Sequence, residues 1–350
     1  MCYSQVFKKT KKGITGSKTL GNIMKKHRKI ANNAIVKNSK IDSPHITINS
    51  KAKLKGVTIK AKKVTIGTNS TLTDCKIFSD GEVTIGKNST IKEEAIINVF
   101  KKIKIGDRCI IDRGVFIGGM QSEESEIEIG DDCAILYRSF INPTKKITLG
   151  NNVGIGGYSQ IFTHGAWQNV LLGYPNKFEE ITIKDNVWIP WNVMVLPGVT
   201  IGENAVIGAG SVITKNIPKN VFAGGNPAVI KRKNLKKKNP TKSEKNKIIL
   251  KILESYHSYA QNFLNLPNTI QKTKNHVKIT FKDNSQIIYS VTGKISTKDK
   301  KTVFVSFKIP EKDKSKSQWI ELDSLTVNVS SKTGDNFASF IKRYGIRLIS

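Results

Sequence analysis

His164 stands where a regular pattern stops. Within QIFTHGAWQNVLLGYPNKFEEITIKDNVWIPW, residues 160–191, a short repeat breaks off just after it and resumes at Ile183. An imidazole ionises near neutral pH, so it suits taking a proton from a hydroxyl or amine. No other histidine lies between Ile48 and Arg232. The interrupting residues include Trp167, Tyr174 and Pro175, types suited to stacking on a sugar ring and closing a pocket to water. The plainer alternative is a solvated surface histidine. His27, His45, His257 and His276 occupy no equivalent place in the repeat and are read as ordinary polar residues.

The elements that must position His164 follow from a period of six. Residues 183–200 divide as IKDNVW, IPWNVM, VLPGVT, and residues 201–218 as IGENAV, IGAGSV, ITKNIP. Matching hexads open at Ile48, Ile66, Ile85, Ile105, Ile129 and Leu149, mostly 18 to 20 residues apart. Three hexads per turn describe a triangular coil. Each hexad is one short strand and a corner, with its aliphatic first residue and small fifth residue directed into a narrow prism. Cys109 and Cys133 fall at fifth positions, which makes them packing residues. Gly, Asn and Asp cluster at the corners, where tight or left-handed backbone is needed. After Leu149 the next start is delayed by sixteen residues, an insertion at about 167–182, and His164 is the fourth residue of its hexad, facing outward at the foot of that loop.

The run NVWIPWNVMVLPGVTIGENAVIGAGSVITKNIP, followed by AGGNPAVIKRK, resembles the C-terminal coils of the sugar O-acetyltransferases, within the hexapeptide-repeat acyltransferase superfamily. The resemblance covers about Ile129 to Arg232, with a looser repeat back to Ile48. It implies a left-handed parallel β-helix of about eight coils, a homotrimer, and acetyl-CoA as cosubstrate. In that family a histidine precedes the extended loop about two dozen residues ahead of the Trp of an NVWIG-type motif; His164 precedes Trp188 by 24. The resemblance therefore implies that His164 is the general base for direct attack of a hydroxyl on a thioester. It also implies cofactor contacts at Trp188, Ala209, Gly210, Thr214 and Lys215, with the nucleotide end near Asn226, Lys231 and Arg232. Two positions depart from the pattern. Pro190 replaces the usual Gly and has no N–H, leaving the oxyanion donor to the Trp191 amide, with Thr163 or Gly165 as substitutes. Val229 replaces a common cation after GNPA, shifting the phosphate contact to Lys231 or Arg232.

Alternatives are N-acetylation of an amino sugar, which the same base would serve, and a non-catalytic scaffold or glycan-binding module. A γ-type carbonic anhydrase needs three histidines around zinc and is excluded by the single one. No metal is expected.

The remaining chain bounds domains and partners. Residues 1–45 read as a basic cap over the open end of the prism, 46–233 as the coil, 234–244 as a charged linker and 245–350 as a smaller α+β extension. In the extension the spacing of Ile249, Leu253, Tyr256, Ala260 and Phe263 predicts a helix. Residues 276–283, 286–293 and 302–310 alternate as antiparallel strands, and a short final helix carries Phe337, Phe340 and Tyr344. The net charge is +31, distributed as +17 over residues 1–104, −5 over 105–206 and +19 over 207–350. Without an Arg-rich helix or clustered aromatics this argues against specific nucleic-acid binding. Diffuse lysine instead fits peripheral attraction to an anionic glycan or membrane surface. The four cysteines lack CxxC spacing, free thiols are expected, and no apolar run approaches a membrane span, so the default address is cytoplasmic.

Overall fold

The aliphatic residues that open each hexad align as a single column. Ile48, Ile66, Ile85, Ile105, Ile129, Leu149, Ile183 and Ile201 each end a strand of one face and pair with one another in unbroken parallel register. The computed structural model describes residues 27–165, 168–235, 239–273, 276–293, 299, 301–315, 318–346 and 348. Contacts divide it into two units, Met1–Lys236 and Lys237–Ser350.

The first unit is the expected left-handed parallel β-helix. Its first and third faces each hold nine strands, and its second face holds ten parallel strands and one antiparallel strand. That exceeds the expected eight coils because the coil begins earlier than residue 46. His27–Ile30 pairs in parallel with His45–Ile48, and Ile35–Lys37 with Lys53–Lys55. IANNAI, from Ile30, is itself a hexad 18 residues before Ile48, and Ala34 at its fifth position packs on the core. Residues 27–45 are thus coil, not cap; residues 1–26 lie outside the described residues, as does Cys2.

Hexad chemistry explains the stacking. At fifth positions, Ala52, Ser70, Ser89, Cys109, Cys133 and Ala205 are buried. Small polar ones are satisfied one coil along: Ser70 Oγ donates to Gly86 O at 2.6 Å, Ser89 Oγ to Gly106 O at 2.8 Å, and Cys109 Sγ to Gly130 O at 3.0 Å. Glycine at the second position lets backbones meet, since a Cβ on Gly106 would lie 2.6 Å from the Gly130 carbonyl. Fourth residues such as Asn69, Asn88, Asp132, Asn186 and Asn204 turn the corner with φ between 55° and 59°, a left-handed geometry that Asn and Asp adopt at little cost.

The second unit packs the helix Lys242–Asn262 and the helix Lys332–Ile341 with a six-stranded sheet. Tyr256 is fully buried among Phe281, Phe337 and Phe340. The first helix starts three residues before the expected Lys245, because Thr241 and Glu244 form a reciprocal capping box. Phe263 and Tyr344 are exposed rather than packed inside. His276–Phe281 and Gln286–Ser290 are antiparallel as expected, but Thr302–Ser306 joins in parallel; alternation marks a strand without marking its direction. No described helix is long and apolar enough to cross a membrane.

Candidate active site

His164 leaves the coil at the point where its neighbours turn. As a fourth hexad residue it stands where other coils adopt left-handed φ, yet it is absent from the positive-φ residues. Instead His164–Gly165 pairs antiparallel with Lys177–Phe178, so the insertion rises as a hairpin. Phe178 stacks on the imidazole at 5.6 Å between centroids and 18° between planes. The stem is anchored from below. Thr163 is buried, its hydroxyl donating to Asn142 O at 2.7 Å and accepting from Lys145 N at 3.0 Å, while Glu179 N donates to Thr163 O at 2.9 Å.

This setting suits a proton acceptor. His164 is half-buried, and its Nδ1 is inaccessible with no hydrogen-bond partner among the described residues. Desolvation lowers its pKa below the ordinary histidine value, keeping the ring neutral at pH 7. A buried polar atom without a partner is costly in a finished structure and points to a group supplied from outside the chain.

The tip of the hairpin was not legible as structure. Asn169 caps a short 3₁₀ turn, Val170–Leu172, which Gly173 ends at φ 83°. It presents Val170, Leu171 and Leu172 to solvent alongside Tyr174. Trp167 lies outside the described residues.

The other expected site residues sit on two different edges of the prism. Trp188 projects from the second face, and its ring covers Gly154, where a Cβ would be 2.5 Å from the indole. Trp191 occupies the next corner, between the second and third faces, with its ring against Gly157 and 5.8 Å from Tyr158. Ala209 and Gly210 are the same corner one coil on, joined by Gly210 N to Trp191 O at 3.0 Å. Thr214 and Lys215 follow the third-face strand Val212–Ile213, on the edge where His164 stands. Asn226, Lys231 and Arg232 are exposed, the last two on a strand that folds back antiparallel against Phe222–Gly224. One chain therefore places His164 on one edge of the third face and Trp191 on the other. The Trp191 amide donates to no carbonyl among the described residues, as at the equivalent Gly157 and Ala209, while the Thr163 amide is committed to Asn142 O at 3.3 Å and is not a free substitute. Gly165 is open, with nothing within 4 Å of a Cβ built there.

These residues fit a coenzyme A arm. Trp188 offers a half-exposed indole, Gly210 opens on empty space, and Lys215, Lys231 and Arg232 form no ion pair among the described residues. Cys75, Cys109 and Cys133 are buried. Burial pushes the Cys75 thiol up to about 12, which argues against a nucleophilic role.

A prism of stacked hexads carrying one histidine at its single long insertion defines a class of hexapeptide-repeat transferase. The pattern of the family described as bacterial transferase hexapeptide (six repeats) matches residues 180–215, and that of the hexapeptide repeat of succinyl-transferase matches 82–119. A galactoside O-acetyltransferase of Lactococcus lactis is 33% identical over 153 residues, covering 42% of this chain and 72% of that protein. The chain belongs to the hexapeptide-repeat acetyltransferase family. It spans 41% of a putative acetyltransferase of Schizosaccharomyces pombe, 48% identical over 89 residues and 23% of this chain. It spans 61% of one from Saccharomyces cerevisiae, 41% identical over 120 residues and 33% of this chain. Among solved structures, a hexapeptide-repeat acetyltransferase of Vibrio cholerae complexed with acetyl coenzyme A is 30% identical, with TM-score 0.33, covering 37% of this chain and 69% of that one.

Proposed function

We propose that the protein is an acetyl-CoA-dependent O-acetyltransferase acting on a sugar hydroxyl, of a surface polysaccharide or its precursor. The observation that carries this reading is His164, neutral, half-buried and unpartnered at Nδ1 at the foot of the hairpin. Family membership and the galactoside O-acetyltransferase relatives support it.

Bound acetyl-CoA supplies an acyl thioester. Trp188, Ala209, Gly210, Thr214, Lys215, Asn226, Lys231 and Arg232 hold it, the cations facing its phosphates. His164 takes the acceptor proton at Nε2, since Nδ1 is buried, and returns it to the departing sulfur. The Trp191 amide donates to the oxygen on which negative charge develops. Because the two edges are separated by the width of the third face, His164 of one copy meets Trp188 and Trp191 of another, within a homotrimer.

The deciding experiment is thiol release from acetyl-CoA by the purified protein over a panel of glycosides, with the product bond identified by alkali lability. An alkali-labile ester on a sugar hydroxyl supports the reading. An amide formed on amino sugars alone transfers it to N-acetylation, and no acceptor-dependent release anywhere returns the protein to a binding module.

A further inference from the structure

The described part of the first coils carries predominantly positive charge. From His27 to Lys87 stand twelve Lys or Arg and four Asp or Glu, and Lys63 with Glu82 at 3.5 Å is the one ion pair joining them among the described residues. On the second face Lys37 pairs directly across from Lys55, with Lys53 two residues along the same strand. All three are exposed, and their stems lie at about 4.8 Å between rungs and about 6.6 Å along the strand. Lys51 is exposed at the adjoining corner. Like charges set side by side across a sheet repel one another. An anion bridging them removes that repulsion.

One outward column of this face continues toward the candidate site without an acidic residue; beside it, Asp112 is ion-paired to Lys92 at 2.9 Å. The outward column runs in register from Lys53 through Thr71, Thr90, Ile110, Ala134 and Gly154 to Trp188. Six rungs separate its ends, about 29 Å. Thr71, Thr90, the exposed Ile110, Ala134 and Gly154 fill the interval, and the lysine cluster stands at its N-terminal side.

We propose that Lys37, Lys53 and Lys55 form an exosite for a linear polyanionic polysaccharide that lies along this column. Where the docked chain is also the acceptor, which rests on the function proposed above, the substrate is a polymer bearing regularly spaced carboxylates or phosphates. A chain-like ligand is favoured because the acid-free column is one residue wide, runs along the coil axis and passes Trp188. Ammonium groups on flexible stems attract such a chain without demanding a fixed sugar geometry.

The probe is fluorescein-labelled polygalacturonate, with dextran as the uncharged control, anionic phosphatidylserine vesicles and duplex DNA as rival ligands. Binding is measured for the full chain, for the triple variant Lys37→Glu, Lys53→Glu, Lys55→Glu, and for a charge-matched control, Lys282→Glu, Lys312→Glu, Lys332→Glu. The expected result is binding of polygalacturonate but not dextran, weakening as salt rises. The second-face variant loses affinity by on the order of tenfold or more, while the control stays near wild type. Both variants are checked for an unchanged melt. Equal losses in the two variants, no binding of polygalacturonate, or losses confined to vesicles or DNA overturn the exosite. A catalytic arm separates the two readings: lower kcat/KM on a long acidic polymer, with unchanged values on an oligomer too short to span the column, extends the exosite to the acceptor. Binding without acetyl transfer to any acidic polymer leaves the exosite standing and removes that acceptor.

Discussion

The indole of Trp188 lies on the backbone of Gly154, its directly paired residue one coil earlier, so closely that a Cβ there would stand 2.5 Å from Cε3. Gly154→Ala therefore has to rotate the ring. Because Gly154 has no positive φ, the backbone tolerates alanine. The expected outcome is a KM for acetyl-CoA raised several-fold with kcat and melting temperature nearly unchanged, the pattern for lost uniform binding. Unaltered Trp fluorescence and KM would show that the ring takes no part in holding the cofactor.

His164→Ala is expected to lower turnover by on the order of 10²- to 10⁴-fold, the usual worth of a general base. Acetyl-CoA affinity and the melt should hold, since the substitution also removes a buried nitrogen with no partner. Near-wild-type turnover would take His164 out of the reaction.

The same residue sets a pH dependence. Burial lowers its folded pKa below that of the unfolded chain. Between the two values the unfolded chain binds more protons, so stability rises with pH through this window and falls on acidification. Activity is expected to be lost on the acid side with an apparent pKa below 6.5, the ordinary histidine value. An acid limb at or above that value contradicts a desolvated base.

Cys109→Ser is expected to cost less than about 1 kcal/mol, because Ser70 and Ser89 occupy the same hexad position and already bond a glycine carbonyl of the following coil. Cys109→Leu should destabilise by about 1–3 kcal/mol or prevent folding, through overpacking of a narrow prism. Thermal melts compare the two, and equal effects would show that this column does not limit packing.

Mixed assembly tests the two-edge site. Co-expressing His164→Ala with Trp188→Ala, assayed at limiting acetyl-CoA, should restore activity above either parent. In a random trimer about a quarter of the sites combine an intact histidine with an intact tryptophan from another copy. Additive activity, or a stable active monomer, refutes a shared site.

Most of the first unit was readable because a period-six pattern is enforced at each coil: a misplaced aliphatic residue would leave the narrow core. The early start is hard to read because Ile30 and Ala34 sit in a lysine-rich stretch whose charge masks the hexad. His164 was legible as the point of departure, but its company was not. Phe178 meets it only through hairpin pairing, and Thr163 is fixed by Asn142, a contact between separate coils. The placement of His164 and Trp191 on opposite edges follows from counting corners, which a linear motif conceals. Strand direction in the second unit is set by crossover connections, and alternation carries no trace of it.

Register passes across the hairpin undisturbed: Leu149 still pairs with Ile183, Ile155 with Ile189 and Ile161 with Val195. The scaffold thus treats everything between Thr163 and Ile181 as an appendage. Lengthening such a segment twofold costs only about 0.6 kcal/mol in closure entropy. On the function proposed above, new acceptor preferences can arise by exchanging the part of that segment beyond His164, while the prism and the histidine stay unchanged.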